Sequence, residues 1–168
     1  MNGKEGTKEM ICQLTEVLTQ LQDDDYNTGL SLLGGATLGQ HFRHIIDFYF
    51  SILRDLPAGT IDYGHRERDP RIEQERSVAL STLQNISNQI DTLEESQPIT
   101  VKADFSDDPA AVRPLVGTSV GRELMYAYDH ALHHLAIIRI GIQVLKPNLK
   151  MGKKIGVAPS TLKFQGGQ

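Results

Sequence analysis

Residues 126–137 read Tyr126-Ala-Tyr-Asp-His130-Ala-Leu-His133-His134-Leu-Ala-Ile137. They lie inside an apolar-periodic run from about Val120 to Leu145 that holds no proline, and Pro147 follows just past its end. The run therefore predicts one helix of about seven turns, with Thr118 or Ser119 as its cap. His130 and His134 are four residues apart, which on a helix puts both imidazoles on one face with Cβ atoms about 6 Å apart. The predicted inward stripe is Leu124, Ala127, His130, Ala131, His134, Ile137, Ile138, Gly141 and Leu145. Imidazoles on such a stripe need partners, and one divalent ion satisfies two of them at once. The pair reads equally as core histidines bonded to backbone or water.

A second cluster tips the balance. Gln40-His41-Phe42-Arg43-His44-Ile45 brings two more imidazoles, so five of the six histidines fall in two stretches and only His65 lies elsewhere. His41 and His44 are three apart and do not share a direction as readily as an i, i+4 pair. One of them is expected to join His130 and His134, and the other to flank the site or face solvent. Three imidazoles from two helices would leave open positions, as catalytic metal sites do.

The rest of the chain supplies helices to carry these clusters. A first helix is predicted over 8–22, capped by Thr7, with the stripe Ile11, Leu14, Leu18 and Leu21. Cys12 falls within it and reads as a core residue rather than a nucleophile. Residues 30–36, with Gly34-Gly35, read as a loop. Thr37 and Gln40 have capping-box spacing, which starts a second helix running to about Arg54. A charged connector follows over 59–68. Asp69-Pro70 opens a third helix, expected to continue to about Leu93. From Ile99 the period changes to two. Ile99–Phe105 and Val112–Gly117 predict a short hairpin, with Pro114 confining the return strand to an edge. Residues from about 147 to 168 read as a tail. Four helices, each with one apolar stripe, predict an all-α four-helix bundle forming a single domain over 1–168, with the short β-hairpin between helices three and four.

Bulk properties exclude several classes. The net charge of −4 and the lack of a basic run across any helix face argue against a nucleic-acid partner. The single Cys12 leaves no disulfide framework and no cysteine-rich zinc site. The N-terminus has no apolar signal region, and no apolar run reaches membrane-spanning length, so the expectation is a cytoplasmic protein without a membrane partner.

The two histidine stretches, Gln-His41-Phe-Arg-His44-Ile-Ile-Asp47 and Asp129-His130-Ala-Leu-His-His134, resemble the DinB-like (DinB/YfiT) metalloenzyme family. The resemblance extends from about Thr7 to Gly156-Val-Ala-Pro-Ser-Thr-Leu162. It implies a four-helix bundle holding zinc, nickel or iron through three histidines, one from the second helix and two from the fourth. His130 and His134 match the fourth-helix pair. His44, followed by Ile45-Ile46-Asp47, matches the second-helix ligand, with His41 as second choice and His133 flanking.

Some members of that family transfer a low-molecular-weight thiol to an electrophile. The resemblance thus implies a metal-dependent enzyme acting on a small-molecule substrate, as a thiol S-transferase. The same three-His site could instead make a hydroxide nucleophile, so hydrolysis is a competing chemistry. The alternatives are a non-catalytic metal- or small-molecule-binding bundle and a helical interaction domain without metal. Asp129, Tyr126 and Asp47 are the candidates for supporting or proton-relay roles, each with the plainer reading of an exposed or packed side chain. Arg43, Arg66 and Arg68 are candidates for holding an anion. Such bundles often pair, so a homodimer is compatible with the sequence.

Overall fold

A computed structural model describes residues 1–166, most of them helical, with one small sheet. Four long helices make the frame: α1 (Gly3–Gln20), α3 (Leu38–Asp55), α5 (Arg76–Ile90) and α6 (Val120–Leu145). α1 and α3 both pack on α6, and α5 packs on α1 and α3 from the other side. Their apolar stripes meet in one core, where Leu14, Phe42, Ile45, Tyr49, Leu83, Ala127, Ala131 and Ile138 are fully buried.

α3 starts where its sequence says it should. The Thr37 hydroxyl accepts from the Gln40 amide, and the Gln40 side chain accepts from the Thr37 amide. This fixes the first turn one residue ahead of His41. α6 is capped by the Ser119 hydroxyl and runs unbroken to Leu145. Its buried stripe holds Leu124, Ala127, Ala131, Ile138 and Gly141 as predicted. His130 and His134 sit at the margin of that stripe, only partly buried, and Glu123 is buried at its start.

Several boundaries differ from the sequence reading. α1 begins at Gly3, with Asn2 and Glu5 forming the capping box, so Thr7 lies inside the helix and bonds the Gly3 carbonyl. Cys12 is exposed, not a core residue. The acidic run after α1 forms the short helix α2 (Asp23–Asn27). The loop over 30–36 contains a single 3-10 turn at Ser31–Leu33.

The expected third helix is broken at Glu75, whose backbone is extended, into α4 (Pro70–Gln74) and α5. The break frees α4 carbonyls that a continuous helix would use. The Tyr26 hydroxyl donates to the Ile72 carbonyl, and the Asn27 amide donates to that of Gln74. α4 also lies very close to α3: a Cβ on Gly39 would stand 2.0 Å from the Glu73 carbonyl oxygen.

The sheet has the order β1-β2-β3. β2 (Pro98–Lys102) and β3 (Leu115–Ser119) form the expected antiparallel pair, in the register Thr100 opposite Gly117. The return strand starts later than predicted because Pro114 precedes it, offering its carbonyl to the Ala103 amide. β1 (Thr60–Ile61), inside the expected connector, adds parallel to β2.

The tail also has structure. Ile155 is buried, its carbonyl accepts from Arg139 of α6, and α7 (Pro159–Gly166) follows. Gly156 has φ of 65°, and a Cβ there would meet the Ala136 backbone at 2.8 Å. Residues 167 and 168 of the expected tail lie outside the described part. No described helix is long and apolar enough to cross a membrane.

Candidate metal centre

Packing of α3 on α6 brings the two histidine stretches face to face. Nε2 of His44 lies 2.9 Å from Nε2 of His130, and Nδ1 of His41 lies 3.0 Å from Nδ1 of His134. The His134 ring centroid is 4.6 Å from those of both His44 and His130. One ring nitrogen from each of His44, His130 and His134 can be chosen so that all lie within 4.8 Å of one another, a group able to hold a metal ion. His41 stands behind His134 as its hydrogen-bond partner. His133 is exposed, and His65 is exposed on the connector.

Electrostatics keep these rings neutral. Burial, with the neighbouring His134 and His130 and the guanidinium of Arg66, holds the pKa of His44 down to about 3. Burial first, and then the neighbouring His133 and Arg66, holds His130 at about 4. Burial first, and then the neighbouring His130, His41 and His133, holds His134 at about 4. Burial lowers His41 as well. A neutral imidazole has one lone pair free, which is the form that ligates.

The donor set suits a borderline divalent ion: imidazole nitrogens without thiolate or carboxylate fit zinc, nickel, copper or iron. With bonds of about 2.0–2.1 Å, two imidazoles in neighbouring positions on one ion place their nitrogens about 3 Å apart. The His44–His130 separation already has that value.

The surroundings are aromatic and cationic rather than acidic. Phe48, one turn after His44, stacks on His130 with ring centroids 3.8 Å apart. Tyr63 stacks on the other side of Phe48 at 5.0 Å, and Tyr126 closes against both. Tyr63 is fixed from behind: its hydroxyl donates to one oxygen of Glu123, and the Thr118 hydroxyl donates to the other, each at 2.7 Å. Glu123 is only 6% exposed, so two hydroxyls satisfy a buried carboxylate. Burial and this carboxylate raise the Tyr63 pKa, which keeps the phenol protonated.

Two grooves flank the cluster. One, of about 420 Å³, has Asp47, Arg54 and Arg66 in its wall. The other, of about 430 Å³, has Tyr63, Tyr126, Arg122 and Glu123.

The supporting candidates separate clearly. Asp47 is buried and bonded to Arg43, and makes no hydrogen bond to His44; burial raises its pKa against the pull of Arg43. Asp129 is exposed and makes no side-chain hydrogen bond among the described residues. Tyr126 stands at the rim, 38% exposed, with its ring 6.2 Å from His130. Among the described residues no carboxylate hydrogen-bonds any of the four clustered histidines.

Phe48, Tyr63 and Glu123 were not singled out from sequence as part of the site. Phe48 carried a usable signal, being four residues after His44 and thus on the same face. Tyr63 and Glu123 meet only through tertiary packing, which no spacing encodes. No family model, curated protein or solved structure compared with this chain matches it.

Proposed function

We propose that this chain is a metal-dependent enzyme of the DinB-like kind, a four-helix bundle whose centre transfers a thiol to a small electrophile. The observation that carries the reading is the convergence of His44, His130 and His134, neutral and part-buried, from two helices onto one point. The ring order α6, α1, α5, α3 of the long helices supports the bundle.

His44, His130 and His134 would hold a divalent ion, which would supply Lewis-acid activation of an incoming thiol or water. The other groups bind and orient. His41 fixes the His134 ring through its Nδ1 contact. Phe48 sets the plane of His130 and keeps water from its face. Tyr63, anchored by Glu123, completes an apolar wall along which an electrophile can lie.

Thiol chemistry is favoured over hydrolysis by the missing acid. Free thiols titrate near pH 8.5 and need little help, whereas hydrolytic sites commonly enlist a carboxylate as general base. Among the described residues no carboxylate hydrogen-bonds the clustered histidines, and Asp47 is taken up by Arg43.

Metal analysis of protein purified without chelators tests the centre. About one zinc, nickel or iron per chain is expected, together with a rise in Tm when the ion is restored. Neither an ion nor a rise would remove the metal reading. Depletion of a small thiol by an electrophile, dependent on the ion, then separates turnover from mere binding.

A further inference from the structure

Of the arginines raised as anion-holders, Arg43 is already engaged, bound to both Asp47 and Glu73. Arg68 is exposed. Arg66 differs from both. It is part-buried and forms no ion pair among the described residues, and its Nε is buried without a hydrogen-bond partner. Its guanidinium lies 5.7 Å over the Phe48 ring, and its Nη1 lies 3.4 Å from Nδ1 of His44.

That last contact sets where the proton sits. A guanidinium only donates, so Nδ1 of His44 must accept. Neutral His44 then carries its proton on Nε2 and donates it to Nε2 of His130. A cation taken between those two nitrogens requires the opposite tautomer, with the proton on Nδ1. Nδ1–H and Arg66 would then be two donors facing each other, so Arg66 must turn away from His44.

A released, part-buried guanidinium beside a divalent ion and neutral imidazoles is positive charge without a bonded counter-ion, which is costly. Asp47 shares the groove with Arg66 but is bonded to Arg43, and among the described residues no carboxylate pairs with Arg66. Resting on the metal reading above, we propose that Arg66 is the specificity-determining residue of this centre. It binds an anionic group, a carboxylate or a phosphate, on the substrate whose donor atom meets the histidines. The planar fork of arginine matches either anion through paired hydrogen bonds. The groove beside Arg66 gives the remainder of such a molecule room.

Cobalt-loaded protein titrated with mercaptopropionate and with uncharged mercaptoethanol, followed by sulfur-to-cobalt absorption, tests the assignment. The wild type should bind mercaptopropionate about tenfold more tightly, the worth of one charge-assisted contact. Arg66→Gln should bring that ratio near one, with cobalt content and mercaptoethanol binding unchanged, and Arg66→Lys should restore part of it. An unchanged ratio in Arg66→Gln would overturn the proposal. A second arm needs no metal: the Arg66 Nε–H resonance is followed as succinate or inorganic phosphate is added. A saturable shift with either supports the anion site, and the tighter of the two names its class. The absence of any shift overturns it. A shift in protein that takes up no cobalt would keep the anion site while removing the metal centre.

Discussion

Phe48 lies nearly flat on His130, with the two ring planes inclined by only 20°. Since Phe48 is itself packed between His130 and Tyr63, it fixes the direction of the imidazole's lone pairs. Phe48→Ala should weaken metal binding by roughly 10–100-fold, the usual effect of losing a residue that orients a ligand. Phe48→Tyr, which keeps the ring, should recover most of the affinity. Calorimetric titration of both variants with zinc measures this. Equal affinities for Phe48→Ala and the wild type would mean that His130 is held by α6 alone.

Removing a ligand should cost more than removing its support. His44→Ala, His130→Ala and His134→Ala should each lower ion affinity by more than His41→Ala, whose effect should fall within roughly 10–100-fold. A His41→Ala variant as poor as the other three would make His41 a fourth ligand.

Binding should also be legible as stability. A free-ion concentration about 100-fold above Kd stabilises the folded chain by about 2.7 kcal/mol, or roughly 5–10 °C in Tm for a chain of this length. The gain should vanish in His44→Ala. Differential scanning fluorimetry with and without chelator reads it directly.

The metal-free protein should lose stability as acid rises. His44 is held to about 3 and His130 and His134 to about 4, against about 6.5 in the unfolded chain. Between these values the unfolded chain binds more protons than the folded one, so stability increases with pH across that window. It is fully present above about pH 6.5 and declines below. The urea midpoint should therefore fall from about pH 7.5 to about pH 5.5, about one unit on either side of the free-imidazole value. A variant with all three histidines changed to Gln should show a flatter profile. An identical slope in that variant would assign the loss to other groups.

Glu123 should matter through Tyr63. Glu123→Ala leaves the Tyr63 and Thr118 hydroxyls without acceptors in a buried place, at a cost of about 1–3 kcal/mol. Glu123→Gln keeps one acceptor and should cost less. Urea denaturation separates the two.

Much of this architecture could be read in advance where information is local. The Thr37–Gln40 box, the Asp69-Pro70 start and the uninterrupted 120–145 stretch are each written in neighbouring residues, and each appears as expected. The break at Glu75 could not be read, because partners far along the chain, Tyr26 and Asn27, stabilise it. β1 has two residues, too few to show any period. At the centre, spacing placed His130 and His134 on one face, but only the packing of α3 on α6 decides that His44 completes the group and His41 backs it. Asp47 had the right spacing to orient His44 and is instead bound to Arg43, which shows how a nearby cation outcompetes a neutral ring for a carboxylate.

The seat of α4 on Gly39 offers a marker for kinship. With the Glu73 carbonyl so close, no residue larger than glycine fits there while α3 keeps its place. Chains that share this juncture should thus show glycine at the position matching Gly39, whatever stands at the histidine positions.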